Sequence, residues 1–99
     1  MEEIILNIIT YSGEARSCAM EAIQYAKSGD FDKARELIEN ANKQLGFAHK
    51  QQTTLIQEEA GGKKREVSLL LIHAQDHLMT TMTLKDIANE LVEVYTRLK

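Results

Sequence analysis

Two histidines stand four residues apart in the run His73-Ala74-Gln75-Asp76-His77. On a helix that spacing places both imidazoles on one face, one turn apart. Asp76 then falls on the adjoining flank, and Gln75 points elsewhere on an isolated helix. Three chemistries fit these residue types. The first is a solvated, hydrogen-bonded helix turn whose histidines merely neighbour each other. The second is zinc, which two histidines at i and i+4 can chelate. Helical zinc-hydrolase motifs, however, carry Glu after the first histidine, where this chain has Ala74. No further ligand cluster supports zinc, since His49 is distant in the chain and Cys18 lies in an apolar stripe. The third is nucleophilic: a neutral imidazole nitrogen attacks a phosphoryl group while nearby N–H donors hold the transferring oxygens. Histidine suits that task because its ordinary pKa of about 6.5 leaves the attacking nitrogen largely free at neutral pH. His77, one turn along, can donate to a phosphoryl oxygen, and Thr80 on the same flank offers a hydroxyl. The absence of arginine near the motif leaves a phosphohistidine labile, as a carrier requires.

The elements that position this motif follow from periodicity. Leu84, Ile87, Leu91, Val94 and Leu98 form a regular seam at spacings of three and four. Continued backwards, the same seam passes through Thr80, His77, His73 and Leu70, so an apolar stripe turns polar for two turns and then apolar again. This is the third of three expected helices, spanning 67–98. The first, 2–28, carries a stripe of Ile4, Ile8, Tyr11, Ala15, Cys18, Ala22 and Tyr25, with Ile5, Ile9, Ala19, Ile23 and Ala26 beside it. That apolar face is wider than one partner helix needs, and its alanines and Gly13 permit close approach. Ser28-Gly29-Asp30 closes it, with Gly29 suited to the left-handed position and Asp30 to capping the next helix. The second helix, 31–57, presents Phe31, Ala34, Ile38, Ala41, Leu45, Ala48 and Leu55, interrupted by polar Gln52. The paired glycines and charges of 58–66 read as a solvated, mobile loop. Without proline the helices run unbroken. The fold expected is all-α, an antiparallel three-helix bundle resembling a spectrin repeat.

The chain has 99 residues and a formal charge of −3, which bounds it to one domain, 1–99, and argues against nucleic acid. The basic triplet Lys63-Lys64-Arg65 is read as part of the solvated loop. No apolar run is long enough to cross a bilayer, and Met-Glu-Glu at the start lacks a signal peptide's basic region. One cysteine permits no internal disulfide, so the expected compartment is the cytoplasm. Cys18 is expected to be a buried small hydrophobe, Met20, Met79 and Met82 fillers, and Tyr11 and Tyr25 packing residues, with Tyr11 able to reach a groove. Thr81 and Thr83, with Thr80, lower local helix propensity, and His49 is expected at the surface.

The string Leu-Leu-Leu-Ile-His-Ala-Gln-Asp-His-Leu-Met-Thr at 69–80 resembles the signature of the lactose/cellobiose-type enzyme IIA of the bacterial sugar phosphotransferase system (PTS). Tyr-Ser-Gly-Glu-Ala-Arg-Ser at 11–17, Ala-Lys-Ser-Gly-Asp-Phe at 26–31 and Ala-His-Lys-Gln-Gln-Thr at 48–53 are also similar to that family. The resemblance implies a homotrimer of three-helix subunits with the active histidine in a groove between subunits. It implies that His73 accepts a phosphoryl group on Nε2 from HPr, the histidine phosphocarrier protein. The group then passes to a cysteine of the cognate IIB component, for uptake and phosphorylation of a β-linked disaccharide (lactose, cellobiose or chitobiose) through IIC. His77 and Gln75 would stand near the phosphoryl group. Asp76 would meet its two symmetry mates around one Mg2+ per trimer, because three carboxylates on an axis repel unless a cation or protons intervene. The start is short beside members that carry a disordered leader, which touches none of these roles. The competing reading from residues alone is a non-catalytic oligomerisation or adaptor domain with structural or zinc-binding histidines.

Overall fold

A computed structural model describes residues 2–98 as α1 (Glu2–Lys27), α2 (Phe31–Ala60) and α3 (Leu69–Arg97). Met1 and Lys99, the ends of the expected 1–99 span, lie outside the described residues. Ala26 packs with Ala34, and Ile5 shares a cluster with Leu55, so α1 and α2 run antiparallel and α3 returns alongside α1. The result is a rod 54 Å long.

The first connection forms as its residues dictate. Gly29 adopts φ 88°, a left-handed conformation that glycine reaches without a Cβ clash, and Asp30 accepts a hydrogen bond from the Lys33 backbone N–H at 3.1 Å. The second connection differs from expectation. Glu58, Glu59 and Ala60 continue α2 because they are good helix formers, and the Gly61 N–H closes its end on the Gln57 carbonyl. Val67 lies outside α3, since Ser68 is extended and caps it by accepting from the Leu71 N–H at 3.1 Å. The intervening segment is tied down rather than loose. Arg65 is half-buried and folds back to pair with Glu58, whose carboxyl it holds below the usual carboxylate range. Arg65 is thereby committed within the chain.

The core is built of small residues. Nine of the seventeen buried apolar side chains among the described residues are alanines, from Ala15 on α1 to Ala88 on α3. Alanine draws helix axes together but removes little surface from water. Ile8 and Leu78 are the largest fully buried hydrophobes, and Cys18 is buried, with its thiol pushed up by desolvation. α1 and α2 bury the stripes their sequences mark, with Ser12 added on α1 and Tyr25 left exposed.

α3 departs from expectation. Its buried residues are Ala74, Leu78, Thr81, Ala88 and Val92, one position along from the regular seam. The seam itself faces outward: Ile87 is 53% and Val94 50% exposed, and Ile72 and Met79 extend the bare stripe toward the motif. Spacing identifies a stripe but not which way it faces. Alanine packing against α1 and α2 claims the inner side because it permits the closer approach.

Candidate functional site

His73 and His77 project from one face of α3. Their rings stack with centroids 5.9 Å apart and planes 9° from parallel. His73 is exposed at the outer end, where it borders a shallow apolar hollow with Leu69 and Leu70. His77 is half-buried against α1, its Nε2 toward Gly13. Neither ring is hydrogen-bonded to the described protein. Desolvation lowers the His77 pKa first, and the His73 ring and the Arg16 guanidinium push the same way against Asp76. The neutral form of His77 is thereby favoured, with one N–H to donate and one lone pair.

Arg16 corrects the expectation of an arginine-free site. No arginine is near the motif in sequence, but α1 carries one to within electrostatic reach of His77. Only the α1–α3 register could reveal this, although Arg16 lies inside one of the segments that carry the resemblance.

Gln75 is not brought to the histidines. It lies on the opposite flank, toward α2, where Gln52 Nε2 donates to its Oε1 at 2.9 Å. Gln52 is the polar interruption in the apolar stripe of α2, and its buried amide explains that interruption: it fixes Gln75 and leaves the Gln75 NH2 group free to donate. Asp76 is exposed in the outward stripe and has no ion-pair partner among the described residues.

Thr80 is not a free donor. Its hydroxyl donates to the Asp76 carbonyl at 2.8 Å, so only its lone pairs face outward. Tyr11 packs its ring on Phe47, 5.3 Å between centroids, rather than entering the site. His49 is exposed in a separate hollow with Asn42 and Lys85, and Cys18 is buried between α1 and α2 beside Asn40. Among the described residues no three His, Cys, Asp or Glu side chains gather as metal ligands, so the histidine pair finds no third ligand within one chain. Among the described residues no helix is long and apolar enough to cross a membrane.

A pH dependence follows from His77. Above the ordinary histidine pKa of about 6.5 neither folded nor unfolded His77 is charged. Below it the unfolded chain takes up a proton that the folded site resists, so stability falls as pH falls from about 6.5 toward the lower folded value. We expect the His77 ring to titrate below about 6.5 by NMR, and His77→Gln to lose less stability than the parent across that window. A ring midpoint at or above the ordinary value would contradict this account.

Residues 3–96 match the family described as the lactose/cellobiose-specific IIA subunit of the PTS. The chain belongs to this family. It is 54% identical over 98 residues to the lichenan-specific phosphotransferase enzyme IIA component of Bacillus subtilis strain 168, covering 99% of this chain and 89% of the relative. Among solved structures, the PTS cellobiose-specific enzyme IIA from Bacillus anthracis superposes with a TM-score of 0.96 at 49% identity, covering 98% of this chain and 89% of that one. A IIA(Chitobiose)–HPr complex of the Escherichia coli N,N'-diacetylchitobiose branch gives 0.85 at 43% identity, covering 98% and 94%. Three helices without strands are thus the architecture of this IIA subunit among the described residues.

Proposed function

We propose that this IIA subunit is a phosphocarrier in which His73 Nε2 holds the phosphoryl group. The observation that carries the reading is the stacked pair of an exposed His73 and a half-buried, neutral His77. In the first step the His73 Nε2 lone pair attacks the phosphorus of the donor's phosphohistidine. The new N–P bond forms as the donor's N–P bond breaks, and the donor nitrogen keeps the electron pair. In the second step an acceptor thiolate attacks the same phosphorus, an S–P bond forms, and His73 recovers its lone pair. A loose transition state of this kind asks for positioning and charge stabilisation. The His77 N–H supplies one donor one turn away.

The donor is HPr, as the name of the chitobiose relative's complex supports. Leu69 and Leu70 give His73 an apolar border on which a carrier protein can seat. The acceptor is the cysteine of a IIB component, and the route ends in uptake of a β-linked disaccharide through IIC. The relatives' names span lichenan, cellobiose and chitobiose, consistent with a subunit that touches proteins and phosphate rather than sugar. Such a carrier works in the cytoplasm.

The assembly is a homotrimer with the α3 helices at its centre. On α3 most of the large aliphatics, from Leu69 to Leu98, lie outside, an apolar face that a lone bundle would leave in water. A three-fold arrangement also turns the His73 flank of one α3 toward the Gln75 flank of the next. This would supply the Gln75 NH2 that one chain keeps on its far side.

Asp76 offers one exposed carboxylate in that central stripe, which fits one third of an oxygen-ligand site for Mg2+. When bound, Mg2+ would supply the charge that lets three carboxylates meet on the axis. Asp76→Leu is expected to abolish Mg2+ retention while preserving or tightening the trimer, read by metal analysis and sedimentation. Dissociation of the variant would refute the placement of Asp76 on the axis.

The functional test is incubation with phosphoenolpyruvate, enzyme I and HPr. One phosphate per subunit is expected, acid-labile and alkali-stable as an N-phosphate is. An unlabelled protein that binds zinc tightly would instead favour the adaptor reading.

A further inference from the structure

Gly13 is an anomaly in the middle of α1. Glycine is the least favourable residue for a helix interior after proline, and nothing about this helix requires its backbone freedom, since positive φ occurs only at Gly29 and Gly62 among the described residues. Close packing does not require it either. A Cβ at Gly13 would meet only His77 Nε2, at 3.7 Å, an ordinary van der Waals distance. An alanine would therefore fit and would favour the helix. The missing methyl group leaves room beside a polar ring nitrogen that has no partner in the described protein.

We infer that Gly13 is a positioning residue of the phosphoryl site: its missing side chain keeps the Nε2 edge of His77 open to a phosphoryl oxygen. Residues three apart on a helix are surface neighbours, so Arg16 puts a positive charge on the flank of α1 that carries Gly13. A methyl at 3.7 Å would occupy the space a hydrogen-bond acceptor needs, because an N–H···O bond brings an oxygen to about 2.9 Å. It would also strip water from the ring edge before the phosphoryl group arrives. A positive charge on that flank favours the approach of the phosphoryl group.

The inference rests on the phosphocarrier reading, and the experiment separates the two. Parent, Gly13→Ala and Arg16→Gln proteins are compared for thermal midpoint, rate of phosphorylation by phospho-HPr, and the shift of the His77 ring signals when His73 is phosphorylated. Gly13→Ala is expected to melt higher than the parent yet accept phosphate at least about tenfold more slowly, with the loss in kcat. Its His77 signals should shift less on phosphorylation. Arg16→Gln should melt like the parent and transfer more slowly. A Gly13→Ala protein labelled at the parental rate with a full His77 shift would overturn the inference while leaving the carrier reading intact. A lower melting point would also overturn it, because space alone would then explain the glycine. An unlabelled parent would instead defeat the reading beneath it.

Discussion

His73→Ala is expected to remove phosphate uptake from phospho-HPr altogether, a loss of order 10³-fold or greater in rate, with the helical fold intact. Alanine cannot form the N–P bond, and the second histidine is poorly placed to substitute. His77 is half-buried and turned toward Gly13 on α1, whereas His73 is the exposed ring bordered by Leu69 and Leu70. An incoming carrier protein therefore meets His73 first. Because His73 is exposed and makes no hydrogen bond within the described protein, its removal should change stability by about 0.5 kcal/mol or less. Circular dichroism and thermal melting thus separate a chemical loss from a structural one. Label that persists in the His73→Ala protein would sink the assignment.

Ile87→Asp is expected to break the proposed trimer into monomers while leaving each three-helix subunit folded. Ile87 is 53% exposed on α3, in line with Leu91 and Val94, and belongs to neither core cluster. Covering an isoleucine contributes about 1.5–3 kcal/mol. A buried carboxylate in its place costs more, and three-fold symmetry repeats the penalty in every subunit. Sedimentation should fall from three chains to one, and phosphorylation should weaken with it if the Gln75 flank of a neighbour completes the site. A parent that sediments as a monomer, or a trimeric Ile87→Asp protein, would refute the arrangement. The physical cause lies in α3, whose inner face is built largely of small residues while Ile87, Leu91 and Val94 are left outside.

Much of the fold is legible in the chain itself. The stripes of α1 and α2 emerge almost residue for residue, since each has one dominant apolar face and a short capped turn between them forces antiparallel packing. The turn at Gly29 and Asp30 is local chemistry and reads directly. The end of α2 is harder. Gly61 and Gly62 mark a break, but charges just before it read equally as loop or as a last helical turn, and the Arg65–Glu58 pair that restrains the segment joins residues seven apart.

The sequence alone determines three helices, their caps and a histidine pair one turn apart, because these depend on residue type and on spacings of three and four within one element. Tertiary structure decided which face of α3 turns inward, because two apolar stripes on one helix are equivalent until packing against alanine-rich neighbours chooses between them. It also decided what surrounds the histidines. Gly13 meets His77 through the register between α1 and α3, and Gln52 draws Gln75 to the far flank. Those are contacts between residues more than twenty positions apart, set by how the helices slide and rotate against one another, which no periodicity within a single helix records.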